Sequence, residues 1–386
     1  MRALIVEDGR QRGALAASRA LAKAGWTVGI ASPGPGFASA SRSTARRHET
    51  PPPEAGEEAF LEAVRGAIDA GGYEVVFGAG DGEVVALSAG RDSLRAVVPY
   101  PDHDRVLRAV DKVLLAEAAS RVGLAVPETR PADEAALRAI DGRVIVKPRL
   151  TTVRGTQGEA LRLRAALATG TDEAEAEASY LRSVGAEPLL QRYVPGALTA
   201  LIALADGAGR LVVTVQQRAE AIWPPEVGGS VRAQTVAVDP RLEELVGKLL
   251  AELEWFGLAQ VQFQSDGTGE PLLIDLNARF YGSMALALAA GPNLPAIWAA
   301  LATGRRSPLV MLPRAGVRYH WLEGDLRRAL RERRGGLARD LRGTLAYARG
   351  AVHGLWDVRD PWPALRHGAV LSFRALRKLV RAPKSA

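Results

Sequence analysis

Apolar positions near the start of the chain fall in short runs separated by helix-spaced stretches. Residues 3–6 and 27–31 are apolar runs of strand length. Between them, over 10–24, apolar residues recur at helical spacing, and Gly25 follows as a stop signal. A third run, 74–77, ends in Gly78-Ala79-Gly80-Asp81-Gly82, with a helix expected after it. Continuous apolar strands joined by helices are what a parallel sheet buried on both faces requires, so residues 1–105 are predicted as an α/β, Rossmann-like domain. The glycine loop could cradle a ligand, but it lacks the full dinucleotide fingerprint and reads as a turn. Residues 33–53, rich in Pro, Ser and Gly, are predicted as a loop.

Beyond residue 105 the pattern changes to α+β. A helix is predicted over 104–122 and a strand over 143–147, stopped by Pro148. A polar, glycine-containing loop spans 151–158, and an acidic helix spans 172–183. A strand over 189–194 runs into Pro195-Gly196. Two hairpins are predicted, 198–205 with 211–216 and 259–264 with 271–276, turning around Asp-Gly sequences at 206–209 and 266–269, with a helix over 241–253 between them. Residues past 320 read as helical and basic. There is no internal repeat.

Composition narrows the picture. A length of 386 residues with 47% hydrophobic positions suits two or three globular domains. The expected layout is 1–105, 106–310 and a basic, mainly helical extension over 311–386. With no cysteine in the chain, disulfides, thiolate metal sites and cysteine nucleophiles are excluded. The N-terminus turns polar after a few apolar residues, unlike a signal peptide, and no apolar run reaches 18 residues, so a cytoplasmic protein is expected. The net charge of +7 is uneven. Residues 323–386 hold 15 Lys/Arg against 6 Asp/Glu, or +9, which leaves about −2 for the rest. This contrast predicts a tail separable from the chemistry. Leu326, Leu330, Leu337, Leu341 and Leu345 form a stripe expected to pack on the body, the alternative being weak association with anionic membrane. The tail lacks the aromatic interleaving of RNA-binding modules, so no nucleic-acid partner is expected.

The second hairpin carries the most chemistry. A turn centred between Thr268 and Gly269 sets Gln262 opposite Asp275. Strand alternation then puts Asp275 and Asn277 on one face, with Ile274 and Leu276 on the other. Three oxygen-bearing side chains on one face suit a hard cation such as Mg²⁺. Arg279, two residues on, projects the same way and can hold a phosphate. Basic residues are almost all arginine. The six lysines are at 23, 112, 147, 248, 378 and 384, and Lys147 ends the 143–147 strand. None of the histidines, at 48, 103, 320, 353 and 367, forms an i,i+4 metal pair or a convincing triad.

Asp275-Leu276-Asn277-Ala278-Arg279 resembles the signature strand of the ATP-grasp superfamily, Glu-(Ile/Val)-Asn-Pro-Arg. Val261-Gln262-Phe263 resembles the partner strand of its carbamoyl-phosphate-synthetase branch. Lys147 stands in Val146-Lys147-Pro148, like the superfamily lysine that meets ATP phosphates, and Lys112 in Asp111-Lys112, like the pair that opens the ATP-grasp module. Gln191-Arg192-Tyr193-Val194-Pro195-Gly196 looks like the interdomain hinge, whose backbone at Gln191 and Val194 would meet adenine, with Arg192 between them. The loop 151–158 is similar to the phosphate lid. Arg218 with Pro224-Pro225-Glu226-Val227-Gly228-Gly229-Ser230 is similar to the substrate loop. Ala197-Leu198-Thr199 departs from the acidic residue that grips ribose in many members.

The resemblance spans roughly 100–305. It implies a pre-ATP-grasp domain, a two-lobed ATP-grasp module, ATP with Mg²⁺ or Mn²⁺, and small carboxylate and amine substrates. The implied metal ligands are Gln262, Asp275 and Asn277. Lys112, Lys147, Gln191, Arg192 and Val194 would bind nucleotide, and Lys147, Arg218 and Arg279 would act in catalysis. The implied reaction activates a carboxylate as an acyl phosphate and couples it to an amine, releasing ADP and phosphate. Carbamoyl-phosphate or carboxylase-like chemistry, and a non-catalytic nucleotide-binding protein, are the alternatives.

Overall fold

The structure, a computed structural model, describes residues 1–154, 160–265 and 269–381. The N-terminal part is built from β1 (Arg2–Val6), α1 (Arg12–Lys23), β2 (Thr27–Ser32), β3 (Thr44–Glu49), α2 (Glu57–Gly71), β4 (Val75–Gly78) and α3 (Asp81–Ala89). Its four strands are parallel in the order β3-β2-β1-β4. β1 and β4 are buried along almost their whole length, which is why they read as unbroken apolar runs. Gly25 closes α1 with φ +86°, as its position in the sequence required.

β3 corrects the loop expected over 33–53. Its sequence, TARRHE, has no apolar run because the strand lies at the sheet edge and is largely exposed. At 78–82 the reading as a turn holds. The chain passes straight into α3 at Asp81, and a side chain at Gly78 would meet the Val84 backbone nitrogen at 2.8 Å.

α4 (His103–Val110) and α5 (Lys112–Arg121) replace the single helix predicted over 104–122. Asp111 breaks it by leaving helical geometry and capping α5, its carboxylate accepting from the amides of Val113 and Leu114. A small lobe follows: β5 (Thr129–Pro131), α6 (Glu134–Arg138), β6 (Val144–Pro148), β7 (Thr152–Arg154), β8 (Ala160–Arg162), β9 (Ala166–Ala168), α7 (Thr171–Ser183) and β10 (Pro188–Arg192). β5-β10-β6-β9 form one sheet, and β7 pairs with β8. Of the lid loop at 151–158, residues 155–158 lie outside the described residues.

The larger sheet takes β11 (Ala197–Ala205), β12 (Leu211–Trp223), β13 (Gly229–Val236), β14 (Gly257–Ser265) and β15 (Leu272–Asn277). It is covered by α8 (Pro240–Glu252), α9 (Met284–Ala290) and α10 (Leu294–Ala302). Both predicted hairpins form, β11 with β12 and β14 with β15; residues 266–268 of the second turn lie outside the described residues. One hydrophobic core runs from the parallel sheet (Ile5, Phe77) through α10 into this sheet (Leu201, Val261). Trp298 sits at its centre, packing on Phe77, Tyr100 and Phe280 and donating to the Pro99 carbonyl at 3.2 Å. The small lobe has its own core around Leu137, Val146, Leu181 and Leu190. No single helix among the described residues is long and apolar enough to cross a membrane.

The C-terminal part adds β16 (Arg318–His320), α11 (Leu322–Glu332), α12 (Leu337–Ala348), β17 (Ala351–His353) and α13 (Trp362–Arg381). β16 and β17 extend the large sheet to seven strands, β15-β14-β11-β12-β13-β16-β17. The leucine stripe is not the buried face. Leu330 and Leu345 are exposed, whereas Asp325, Arg328, Asp340 and Thr344 are buried. The helices pack through charge: Arg328 bonds Asp325 at 2.7 Å and Asp340 at 2.7 Å, and Asp325 also takes Arg232 of β13 at 2.8 Å and His320 at 2.9 Å. A charge buried this way depends on its partners, and removing one partner of a buried pair costs about 3–5 kcal/mol. A chain ending at Leu322 strips Arg232 of Asp325 and removes β17. We expect it to aggregate or to melt far below the full chain in calorimetry. A soluble truncation with an unchanged melting temperature would make the tail separable after all.

Candidate active site

The hairpin β14–β15 sets the geometry. Gln262 faces Asp275 and Gln260 faces Asn277, the register expected from the turn. A β-bulge falls between these pairs and the next, since Phe263 pairs with Leu273 and Ile274 is the extra residue. This corrects the alternation expected for the strand. Leu276 is buried on the core side, whereas Ile274 lines the cleft together with Asp275 and Asn277. The bulge also provides an acceptor: the Ile274 carbonyl takes a hydrogen bond from Lys147 Nζ at 3.2 Å. Asn277 donates to Gln260 Oε1 at 3.1 Å, which commits its amide nitrogen.

These residues face a cleft of about 850 Å³ bounded by the small lobe, the large sheet, the β1–α1 turn and the C-terminal helices. Lys112, Lys147, Gln191, Arg192, Val194, Gln262, Asp275, Asn277 and Arg279 all line it. Arg218 does not. It is exposed on β12, while its neighbour Gln217 lines the cleft, so strand alternation sends Arg218 to the other side of the sheet. The loop after β12 does reach the cleft. Gly228 is obligatory there, because a side chain would meet the Trp223 backbone at 1.9 Å. Glu226 of the same loop pairs with Arg143, and Arg143 stacks on Tyr193 at 4.0 Å. A smaller hollow of about 380 Å³ beside α8 holds none of the sequence-predicted residues.

Lys147 is 5% exposed, and burial pushes its ammonium down to about 8; Asp275 opposes that shift and Lys112 adds to it. Lys112 opens α5 and bonds Thr151 Oγ1 at 3.1 Å. Gln191 is anchored through Thr129 Oγ1 at 2.9 Å. The backbone amide of Val194, beyond the strand end, has no partner among the described residues. Leu198 lines the cleft near the position where an acidic ribose ligand was missing from the sequence.

Arg279 is buried and gripped by Asp81 at the start of α3, through Nε at 2.6 Å and Nη2 at 3.2 Å. Burial would raise the Asp81 carboxyl, but Arg279 outweighs it and holds it low. Both residues stand in segments noted in the sequence, but their pairing, which spans 198 positions, is not visible there. Also missed in the sequence are Arg162, Gln260, and Arg12 stacked at 3.6 Å on Trp321; nothing local to those residues announces them.

Residues 186–325 match the family described as ATP-grasp in the biosynthetic pathway with Ter operon. The protein has an ATP-grasp fold. Among solved ATP-grasp structures it resembles an L-amino acid ligase from Bacillus licheniformis (TM-score 0.61, 15% identity, 80% of this chain and 75% of that one). It also resembles an N5-carboxyaminoimidazole synthetase from Staphylococcus aureus complexed with ADP (TM-score 0.62, 13% identity, 81% and 80%). A third is the biotin carboxylase domain of the Hydrogenobacter thermophilus 2-oxoglutarate carboxylase, in complex with MgADP, ADP and bicarbonate (TM-score 0.61, 15% identity, 82% and 73%). No curated protein sequence matches the chain.

Behind the cleft lie two more buried carboxyls, Glu7 and Glu83. Each is pushed up to about 8 by burial first and by Asp8 second. Glu7 Oε1 has no partner, while Oε2 accepts from the Gln11 amide at 3.2 Å. A carboxyl raised in the fold stabilises it fully below the ordinary carboxylate range and loses that contribution as pH climbs through about 8. The melting temperature should therefore fall between about pH 5 and pH 8.5. Glu83→Gln, which cannot ionise, should flatten that fall in a thermal-denaturation series, and an unchanged slope would place the pH dependence elsewhere.

Proposed function

We propose that this protein is an ADP-forming ligase that activates a small carboxylate with ATP and couples it to an amine. The observation carrying this reading is that Asp275, Gln262 and Asn277 share one cleft with Lys112 and Lys147, on a fold whose solved examples include an amino acid ligase. The two lysines would take the phosphates of ATP as point charges, a role that needs reach more than orientation. The hinge, Gln191 to Val194, would receive the adenine.

A divalent cation fits this donor set. Among the described residues no group of three or more His, Asp or Glu side chains is placed to hold a metal. One carboxylate and two amide oxygens therefore leave most ligand positions to phosphate and water, which is the habit of Mg²⁺. Asp275, Gln262 and Asn277 would hold it, and the ion would neutralise phosphate charge. The protein's own residues then act by placement. Lys147, fixed on the bulge carbonyl, aligns the transferred phosphoryl group, and Arg279, fixed by Asp81, presents its remaining N–H edge to the reacting oxygens. The substrate carboxylate attacks the γ-phosphate itself, and the amine displaces phosphate from the acyl carbon.

ADP release measured against pooled amino acids and small carboxylic acids, with Mg²⁺ present, tests the reading. ADP and phosphate should appear only with substrates present. AMP and pyrophosphate as main products would point to adenylation and end the assignment, and ADP release driven by bicarbonate would favour carboxylase-type chemistry. A second expectation follows from Lys147. Its charge is needed for phosphate and is lost near pH 8 in the protein alone, so ADP affinity should drop as pH rises past about 8, with proton uptake on binding. Titration calorimetry in buffers of different ionisation heat reads both, and Lys147→Met should abolish the pH dependence.

A further inference from the structure

The basic C-terminal extension is part of the cleft wall. Trp321, Glu323 and Arg327, at and after the start of α11, and Arg366 and His367 of α13 line the same cleft as Lys147 and Asp275. Within this wall one pair has the geometry of an acid–base unit. His367 Nε2 lies 2.7 Å from Glu323 Oε2, and both side chains are about four-fifths buried. The carboxylate can only accept, so Nε2 carries the hydrogen and Nδ1 is the basic nitrogen of the neutral ring. No partner for Nδ1 exists among the described residues. Phe37, on the segment after β2, packs edge-on against the imidazole with centroids 4.9 Å apart and fixes its plane from the other side of the cleft. Glu323 is itself held by Arg327 at 2.6 Å. The His367 hydrogen bond first, and the charges of Arg327 and Arg12 after it, keep the Glu323 carboxyl below its ordinary range, so it remains an acceptor at neutral pH.

We propose that His367 is the general base for the amine substrate, with Glu323 as its positioning residue. This inference rests on the ligase reading. Most amines reach the cleft as ammonium ions and cannot attack until a proton is removed. His367 Nδ1 takes that proton. The freed nitrogen lone pair forms the C–N bond, the C–O bond to the phosphoryl group breaks, and phosphate leaves with the electron pair. The second N–H proton leaves with the phosphate or to solvent. Glu323 fixes the tautomer and ring plane and balances the imidazolium that results.

The test compares acceptors in the full-length protein. Hydroxylamine is largely unprotonated near neutral pH and intercepts acyl phosphates without a base, whereas amino acids need one. With the carboxylic acid pool and Mg-ATP, His367→Asn should lose about 100-fold or more of its ADP release with the amino-acid pool as acceptor. That loss should exceed the loss with hydroxylamine at least tenfold. Glu323→Gln should show a smaller loss with the same acceptor pattern, and a melting curve near that of the wild type for either variant rules out unfolding. Equal losses with both acceptors, or none, overturn the assignment, as does a wild type that uses hydroxylamine but no amine. A wild type that releases ADP with neither acceptor overturns the ligase reading itself, a result distinct from a turning-over wild type matched by its variant.

Discussion

Everything in the cleft is referred to one buried ion pair. Arg279 follows the signature strand β15, and Asp81 begins α3 at the end of the parallel sheet. Taking both charges out of water is unfavourable unless the geometry is good and the remaining polar atoms are satisfied. Here the contact is two-pronged, and the third guanidinium nitrogen reaches the Phe280 carbonyl at 3.4 Å. The pair therefore fixes the distance between the parallel sheet and the face of the hairpin that carries Asp275 and Asn277. The β1–α1 turn, which lines the far side of the cleft, inherits its position from that distance. The continuous core around Trp298 supplies cohesion between the same two parts, and the ion pair supplies register, which apolar packing alone leaves loose.

The small lobe is tied in differently. Its core is separate, and its links to the rest near the cleft include polar ones: Lys147 on the Ile274 carbonyl, Lys112 with Thr151, and Arg143 with Glu226. Polar contacts at a cleft edge exchange readily for water. A lobe held in this manner can change its angle while keeping its own packing.

Much of this was legible in the sequence, and what was not has identifiable causes. The pairing of Gln262 with Asp275 matched the position read from the turn, although the bulge shifts the turn-side pairs Phe263–Leu273 and Gln264–Leu272 by one residue. Lys112 and Lys147 stood out because lysine is scarce in this chain. β3 was hidden because an edge strand needs no apolar run, and Asp111 split a helix because capping outweighs the continuity of an apolar pattern. The bulge at Ile274 and the wrong side of Arg218 share a cause: alternation tells the faces of a strand apart only while the strand stays regular, and it does not say which face meets the cleft. The leucine stripe failed because the C-terminal helices bury Arg328 and its carboxylates instead. Glu323 and His367 are 44 positions apart and meet only in the folded chain.

The scarcity of lysine has a chemical consequence. Arginine does not lose its proton near neutral pH, so in this protein amine reactivity belongs to a few side chains. Of these, Lys248 is tied to Glu244 at 2.6 Å on the surface, while Lys147 is buried and partly uncharged just above neutral pH. An uncharged amine is the form that reacts with acylating and aldehyde reagents. Lys147 combines that reactivity with almost complete shielding, so its labelling rate would measure how often the two lobes part.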